Sequence, residues 1–90
     1  MNKIEKITAL TVGTEAQSVR VNGLPCLVQN NGAADIFFKE LRDDGVDVTA
    51  ESGWRLGPGE TTVCPMVARE LSVIAGAEGV DVRLMILDEV

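Results

Sequence analysis

Leu71-Ser72-Val73-Ile74-Ala75-Gly76-Ala77-Glu78-Gly79-Val80-Asp81-Val82-Arg83-Leu84-Met85-Ile86-Leu87 is the stretch on which the fold class turns. Leu71, Val73 and Ala75 alternate with Ser72 and Ile74, and Val80, Val82, Leu84 and Ile86 alternate with Asp81, Arg83, Met85 and Leu87. A period of two marks a strand with one face in a core. Gly76-Ala77-Glu78-Gly79 separates the two runs as a turn, so the stretch predicts a β-hairpin. Its last residues are apolar on both faces, Met85 and Leu87 against Ile86, and such a tail wants a covering partner.

The same punctuation runs along the whole chain of 90 residues. Glycines and prolines bound segments of about five to eight residues, which is strand length. Ile7, Ala9 and Thr11 alternate with Thr8, Leu10 and Val12, and Gln17, Val19 and Val21 alternate with Ala16, Ser18 and Arg20. Asn22-Gly23 is a turn pair. The apolar segment Pro25 to Gln29, the turn Asn30-Asn31-Gly32 and the run Ile36-Phe37-Phe38 predict a second hairpin, central in its sheet or covered on its outer face. Lys39 to Gly45 is the most charged stretch and reads as an exposed loop or short edge segment. Val46-Asp47-Val48-Thr49 and Trp54-Arg55-Leu56 alternate briefly, and Gly57-Pro58-Gly59-Glu60 reads as a hairpin turn. Thr61 to Cys64 is a short strand that Pro65 stops or places at an edge. The one helical candidate is Met1 to Ile7, where Ile4 and Ile7 are three apart. These segments predict an all-β chain: a single small antiparallel β-sandwich or jelly roll of about seven or eight short strands, spanning residues 1–90.

Composition narrows the function classes. Eight Lys and Arg against fourteen Asp and Glu give a net charge of −6, which argues against nucleic acid as a partner. Histidine is absent, which removes imidazole metal sites and histidine-based nucleophilic catalysis. No apolar run approaches the ~20 residues of a membrane-spanning helix, and no charged-then-apolar leader reads as a signal peptide. Asp43-Asp44-Gly45-Val46-Asp47 fails the calcium-loop template, because its Gly comes too early and no Glu closes it. Asp35, Asp47, Glu51, Asp81, Asp88 and Glu89 are scattered over polar strand faces and ends, where solvation accounts for them. Gly57-Pro58-Gly59 lacks the Lys-Ser/Thr ending of a phosphate loop. The expectation is therefore a chain with no catalytic residues, no metal and no cofactor. Cys26 and Cys64 are expected to be buried free thiols, with a disulfide as the lesser alternative and a reactive thiol the least, since neither has a histidine or an adjacent Lys or Arg to lower its pKa.

Scaling rules for a chain of this mass give roughly 14,000 Å² of unfolded and roughly 5,000 Å² of folded surface. Burial then supplies roughly 130 kcal/mol against an ordering cost of roughly 135 kcal/mol, so a lone copy is marginal and a subunit interface would help. Candidate interface or binding residues follow from this. Phe37 and Phe38 are adjacent on one strand and must face opposite ways, so one fills the core while the other packs under a loop or meets another subunit. Met85 and Leu87 lie on the second face of the tail. Trp54, the largest apolar residue, is expected to close one end of the core; the alternative is an exposed anchor with Arg55, forming a stacking patch for a sugar or a protein.

Three blocks carry a resemblance: Cys26-Leu27-Val28-Gln29-Asn30-Asn31-Gly32 with Ala34-Asp35-Ile36-Phe37-Phe38; Val48 through Glu60, ending Gly57-Pro58-Gly59-Glu60; and Leu71 through Arg83. Together they resemble the small virion structural proteins of tailed bacteriophages and prophages, in which an "I/V-Q-N-x-G" hairpin precedes a "G-x-x-L-x-P/A-G-E" turn and a closing "L-x-x-I-A…G…D-V-R-V" hairpin. The resemblance covers roughly residues 16 to 84 and departs from the pattern in the charged Lys39 to Asp44 insertion. It implies a β-sandwich or jelly roll acting as a capsid decoration, head-fibre or similar module. The implied partners are copies of itself and other virion proteins, with no nucleic acid and no membrane. The implied location is the virion, or the host cytoplasm before assembly. The competing readings are a carbohydrate- or ligand-binding module built on Trp54 and Arg55, and a cupin-type enzyme, which the missing histidines disfavour.

Overall fold

Val80, Val82, Leu84 and Ile86 are buried and Arg83 between them is exposed, so the alternation along this stretch is one between core and solvent. The computed structural model describes residues 2–21, 23–41, 45–64 and 70–89, with the backbone alone at 2–6 and 87–89. Its strands are β1 (Asn2–Val12), β2 (Gln17–Arg20), β3 (Cys26–Asn30), β4 (Ile36–Leu41), β5 (Trp54–Leu56), β6 (Thr61–Cys64), β7 (Glu70–Ala75) and β8 (Val80–Glu89). Among the described residues there is no helix, hence none long and apolar enough to cross a membrane.

The strands form two antiparallel sheets, in the orders β1-β8-β3-β6 and β2-β7-β4-β5. The pairs nest: β1 with β8, β2 with β7, β3 with β6, and β4 with β5. The chain is one long ribbon doubled back between β4 and β5, then rolled so that β3 also meets β8 and β4 meets β7. That is the strand order of a jelly roll. Its core is almost wholly aliphatic. Val12, Cys26, Val28, Val82, Leu84 and Ile86 from one sheet face Val21, Ile36, Phe38, Leu71, Val73 and Ala75 from the other. The exposed area of 5392 Å² is close to the surface that mass scaling gives.

Several local expectations change. Met1 to Ile7 is not a helix: from Asn2 onward the segment is part of β1, in register with β8 from Asn2 opposite Glu89 to Val12 opposite Val80. Pairing with β1 satisfies the backbone edge of the tail but leaves its outer face, which carries Met85, without a cover. Neither expected hairpin forms, because β3 and β4 belong to different sheets, as do β7 and β8. The turn at 57–60 likewise carries the chain from one sheet to the other. Alternation and turn residues look the same for a hairpin and for a crossing; the long-range nesting decides between them. Lys39, Glu40 and Leu41 belong to β4, paired with Ser72, Leu71 and Glu70. Val46 to Thr49 is no strand but an irregular segment laid on the outside of a sheet, with Val48 buried. Asn22, Asp43, Asp44 and Pro65 lie outside the described residues.

One side chain pins the crossings together. Asn30, at the end of β3, is fully buried. Its Nδ2 donates to the Ala34 carbonyl at 2.8 Å and to the Leu56 carbonyl at 2.9 Å, while its Oδ1 accepts from the Gly32 amide at 3.0 Å. Its own amide donates to the Glu60 carbonyl and its carbonyl accepts from the Gly59 amide, at 2.9 and 2.8 Å. The turn after β3 is thereby fastened to the turn after β5. Gly32 is needed where it stands: a Cβ there would lie 2.5 Å from Val80 Cγ1, at the start of β8. At the same end Thr14 donates to Glu78 Oε2 from its amide and its hydroxyl, at 2.9 and 2.6 Å, linking the turn after β1 to the turn after β7.

Asn30→Ala strips two carbonyls and one amide of their partner, and should cost about 3 kcal/mol in urea unfolding. A loss below about 1 kcal/mol would mean that the pin carries little. The Thr14 hydroxyl and amide hold the Glu78 carboxyl below its ordinary pKa. The link is therefore complete above the ordinary glutamate pKa and is lost as pH falls through the lowered one. The Thr14 amide shift should titrate with a midpoint below that of a free glutamate; an unshifted midpoint would mean the link is absent.

Candidate interaction surface

With the even-numbered residues of β8 in the core, the odd-numbered ones line the outside of the β1-β8-β3-β6 sheet, and register decides what stands beside them. Met85 is opposite Ile7 on β1 and Leu27 on β3, and Leu27 is opposite Val63 on β6. Ile7, Met85, Leu27 and Val63 thus form one apolar row across all four strands. Ile7 is 58% exposed and Val63 60%, with Leu27 and Met85 half-buried between them. A depression of about 290 Å³ is lined by Ile7, Met85 and Leu27 of the row and reaches Gln29, Thr61 and Arg83. The next row is mostly polar: Ala9, Arg83, Gln29 and Thr61. Beyond it, Asp81 holds Arg83 at 3.0 Å and accepts from Asn31 Nδ2 at 3.0 Å. The bonds from Arg83 and Asn31 lower the Asp81 pKa, and Asp81 in turn raises that of Arg83, so both stay charged and mutually neutralised.

The other proposed residues lie elsewhere. Phe38 is in the core and Phe37 is half-buried on the outer face of the β2-β7-β4-β5 sheet. A Cβ at Gly53 would fall 2.8 Å from Phe37 Cβ and 2.5 Å from Val48 Cγ2, so the 45–53 segment lies close over Phe37. That segment is anchored by Ser72, buried in β7, whose hydroxyl accepts from the Val48 amide at 3.1 Å and donates to Asp47 at 3.3 Å. Arg55 stands opposite Phe37 on the same outer face and bridges to Asp35 at 3.3 Å. Trp54 stands opposite Phe38, on the core side of β5, yet is 68% exposed because β5 is an edge strand. The expected closure of the core by Trp54 does not occur, and Trp54 and Arg55 point to opposite faces rather than forming one platform. The Leu87 side chain lies outside the described residues.

The sequence pointed to Met85 but not to Ile7, Leu27 or Val63. Each stood in an alternating or apolar segment, and only the pairing of four distant strands lines them up. A second hollow, about 360 Å³ and lined by residues 11–17 with Glu78 and Gly79, has its Glu78 carboxylate already engaged by Thr14. Among the described residues no three Cys, Asp or Glu side chains gather as metal ligands. Since Trp54 is exposed, its fluorescence should peak near that of free tryptophan in water and be fully open to iodide quenching. A blue-shifted, shielded emission would mean that another surface covers it.

No protein-family model matches the chain, and neither the curated proteins nor the solved structures contain a match to it.

Proposed function

We propose that this chain is a non-enzymatic structural module of a tailed-phage virion, a decoration or head-fibre type of protein that assembles with copies of itself and with other virion proteins. The observation that carries the assembly reading is the apolar row Ile7–Met85–Leu27–Val63, which crosses a whole sheet face and leaves its two ends more than half exposed. Contiguous apolar surface of this kind marks an interaction site. A second copy suits it. The chain carries a net charge of −6, but among the described residues the charges beside the row, Arg83 and Asp81, neutralise each other, which favours the meeting of two such faces. The virion reading rests on the resemblance of the three sequence blocks, and the jelly-roll strand order is one that viral capsid domains use.

Sedimentation velocity across the micromolar range tests the assembly. The chain should sediment as a defined oligomer, and Val63→Lys should weaken self-association by on the order of tenfold or more. Val63 is exposed, so this variant keeps its fold. A chain that stays monomeric throughout, and that does not travel with phage particles in a density gradient, would remove the reading. The exposed Trp54 favours the ligand-binding alternative; saturable quenching of its emission by a sugar would promote that instead.

A further inference from the structure

Cys26 on β3 and Cys64 on β6 are directly opposite in register. Both are free thiols, Cys26 fully buried and Cys64 half-buried at the last residue of its strand. Directly opposed residues of an antiparallel pair have Cα atoms roughly 4.5–5.5 Å apart, within the ~4.4–6.8 Å that a disulfide spans. Cys64 packs against the core cluster to which Cys26 belongs, on the same face of the sheet. We propose that Cys26 and Cys64 are a redox modification site, closed to a reversible intramolecular disulfide by exchange with a low-molecular-weight disulfide and reopened by a dithiol.

The two sulfurs have different parts in this chemistry. The neighbouring Cys64 and burial raise the Cys26 pKa, so that thiol stays protonated. Cys64 is the one that solvent reaches, so it is the sulfur that attacks first. Its thiolate attacks one sulfur of the external disulfide, expels one thiolate and becomes a mixed disulfide. That step uses up the negative charge that held the Cys26 proton. Cys26 then loses its proton to the released thiolate and attacks the Cys64 sulfur, expelling the second external thiolate, which takes up the Cys64 proton from solvent. Two protein thiols are oxidised and one external disulfide is reduced to two thiols. The bond formed joins strands that are already neighbours, so no strand has to move.

The test uses the folded chain equilibrated in mixtures of reduced and oxidised glutathione, then acid-quenched and measured by intact mass and by thiol titration in denaturant. The expected result is concerted loss of both thiols in a monomeric species lighter by two hydrogens, restored by dithiothreitol and accompanied by a higher thermal midpoint. In Cys26→Ser, oxidised glutathione should accumulate as a stable adduct on Cys64. Retention of both thiols under oxidising mixtures would overturn the proposal. So would a lasting glutathione adduct on the unmutated chain, or disulfides that only join separate chains. Because the unmutated chain is the primary sample, the result does not depend on how well the variant folds.

Discussion

The buried amide of Asn30 has the strictest requirement in the molecule. Every donor and acceptor it has, side chain and backbone, is used, and its partners come from two turns far apart in sequence. A buried polar group that lacked any of these partners would cost more than it contributes. The crossing from β3 to β4 and that from β5 to β6 must therefore arrive at the same place. Once they do, β3 has β6 on one side and β8 on the other, and the sheet order follows. Gly32 adds a steric condition, since the turn has to lie against Val80. In a core made almost wholly of aliphatic side chains, which pack without strong directional preference, such a bond network supplies the specificity of the roll.

What the sequence made legible, and what it hid, divides along a physical line. The alternation at Val80 to Ile86 identifies an inward face because period two is a local property of the backbone. The turns at 30–32, 57–60 and 76–79 are legible for the same reason. Which strand lies beside which is not local: nothing between Val73 and Val82 distinguishes a hairpin from a crossing. Ser72 reads as a solvated position, yet it is buried because a segment from elsewhere, anchored through Val48 and Asp47, folds over it. Trp54 reads as core by size and is exposed by position, on an edge strand of three residues. The apolar row is the largest thing the sequence withheld, since its four members come from four strands.

The two broad faces of the sandwich are finished differently. One is overlaid by the chain's own 45–53 segment, which shelters Phe37 and Ser72; the other carries the uncovered row from Ile7 to Val63. A small domain has a large fraction of its apolar atoms near the surface, and the 45–53 segment removes that exposure on one face alone. The asymmetry makes the two faces chemically unlike: one is overlaid by its own chain, the other presents apolar side chains to solvent.

The nesting of strands also has a kinetic side. Of the eight strands β1 comes first and its partner β8 last, so the outermost pair cannot close until β8 has been made. Until then β1 has no partner strand and its backbone edge stays unsatisfied. Closure proceeds most economically from the middle of the ribbon, where β4 and β5 are nearest in sequence, toward the termini, each step shortening the loop the next must close. A chain built in this way is slow to mature, and the loss of either outermost strand leaves the other without its pair.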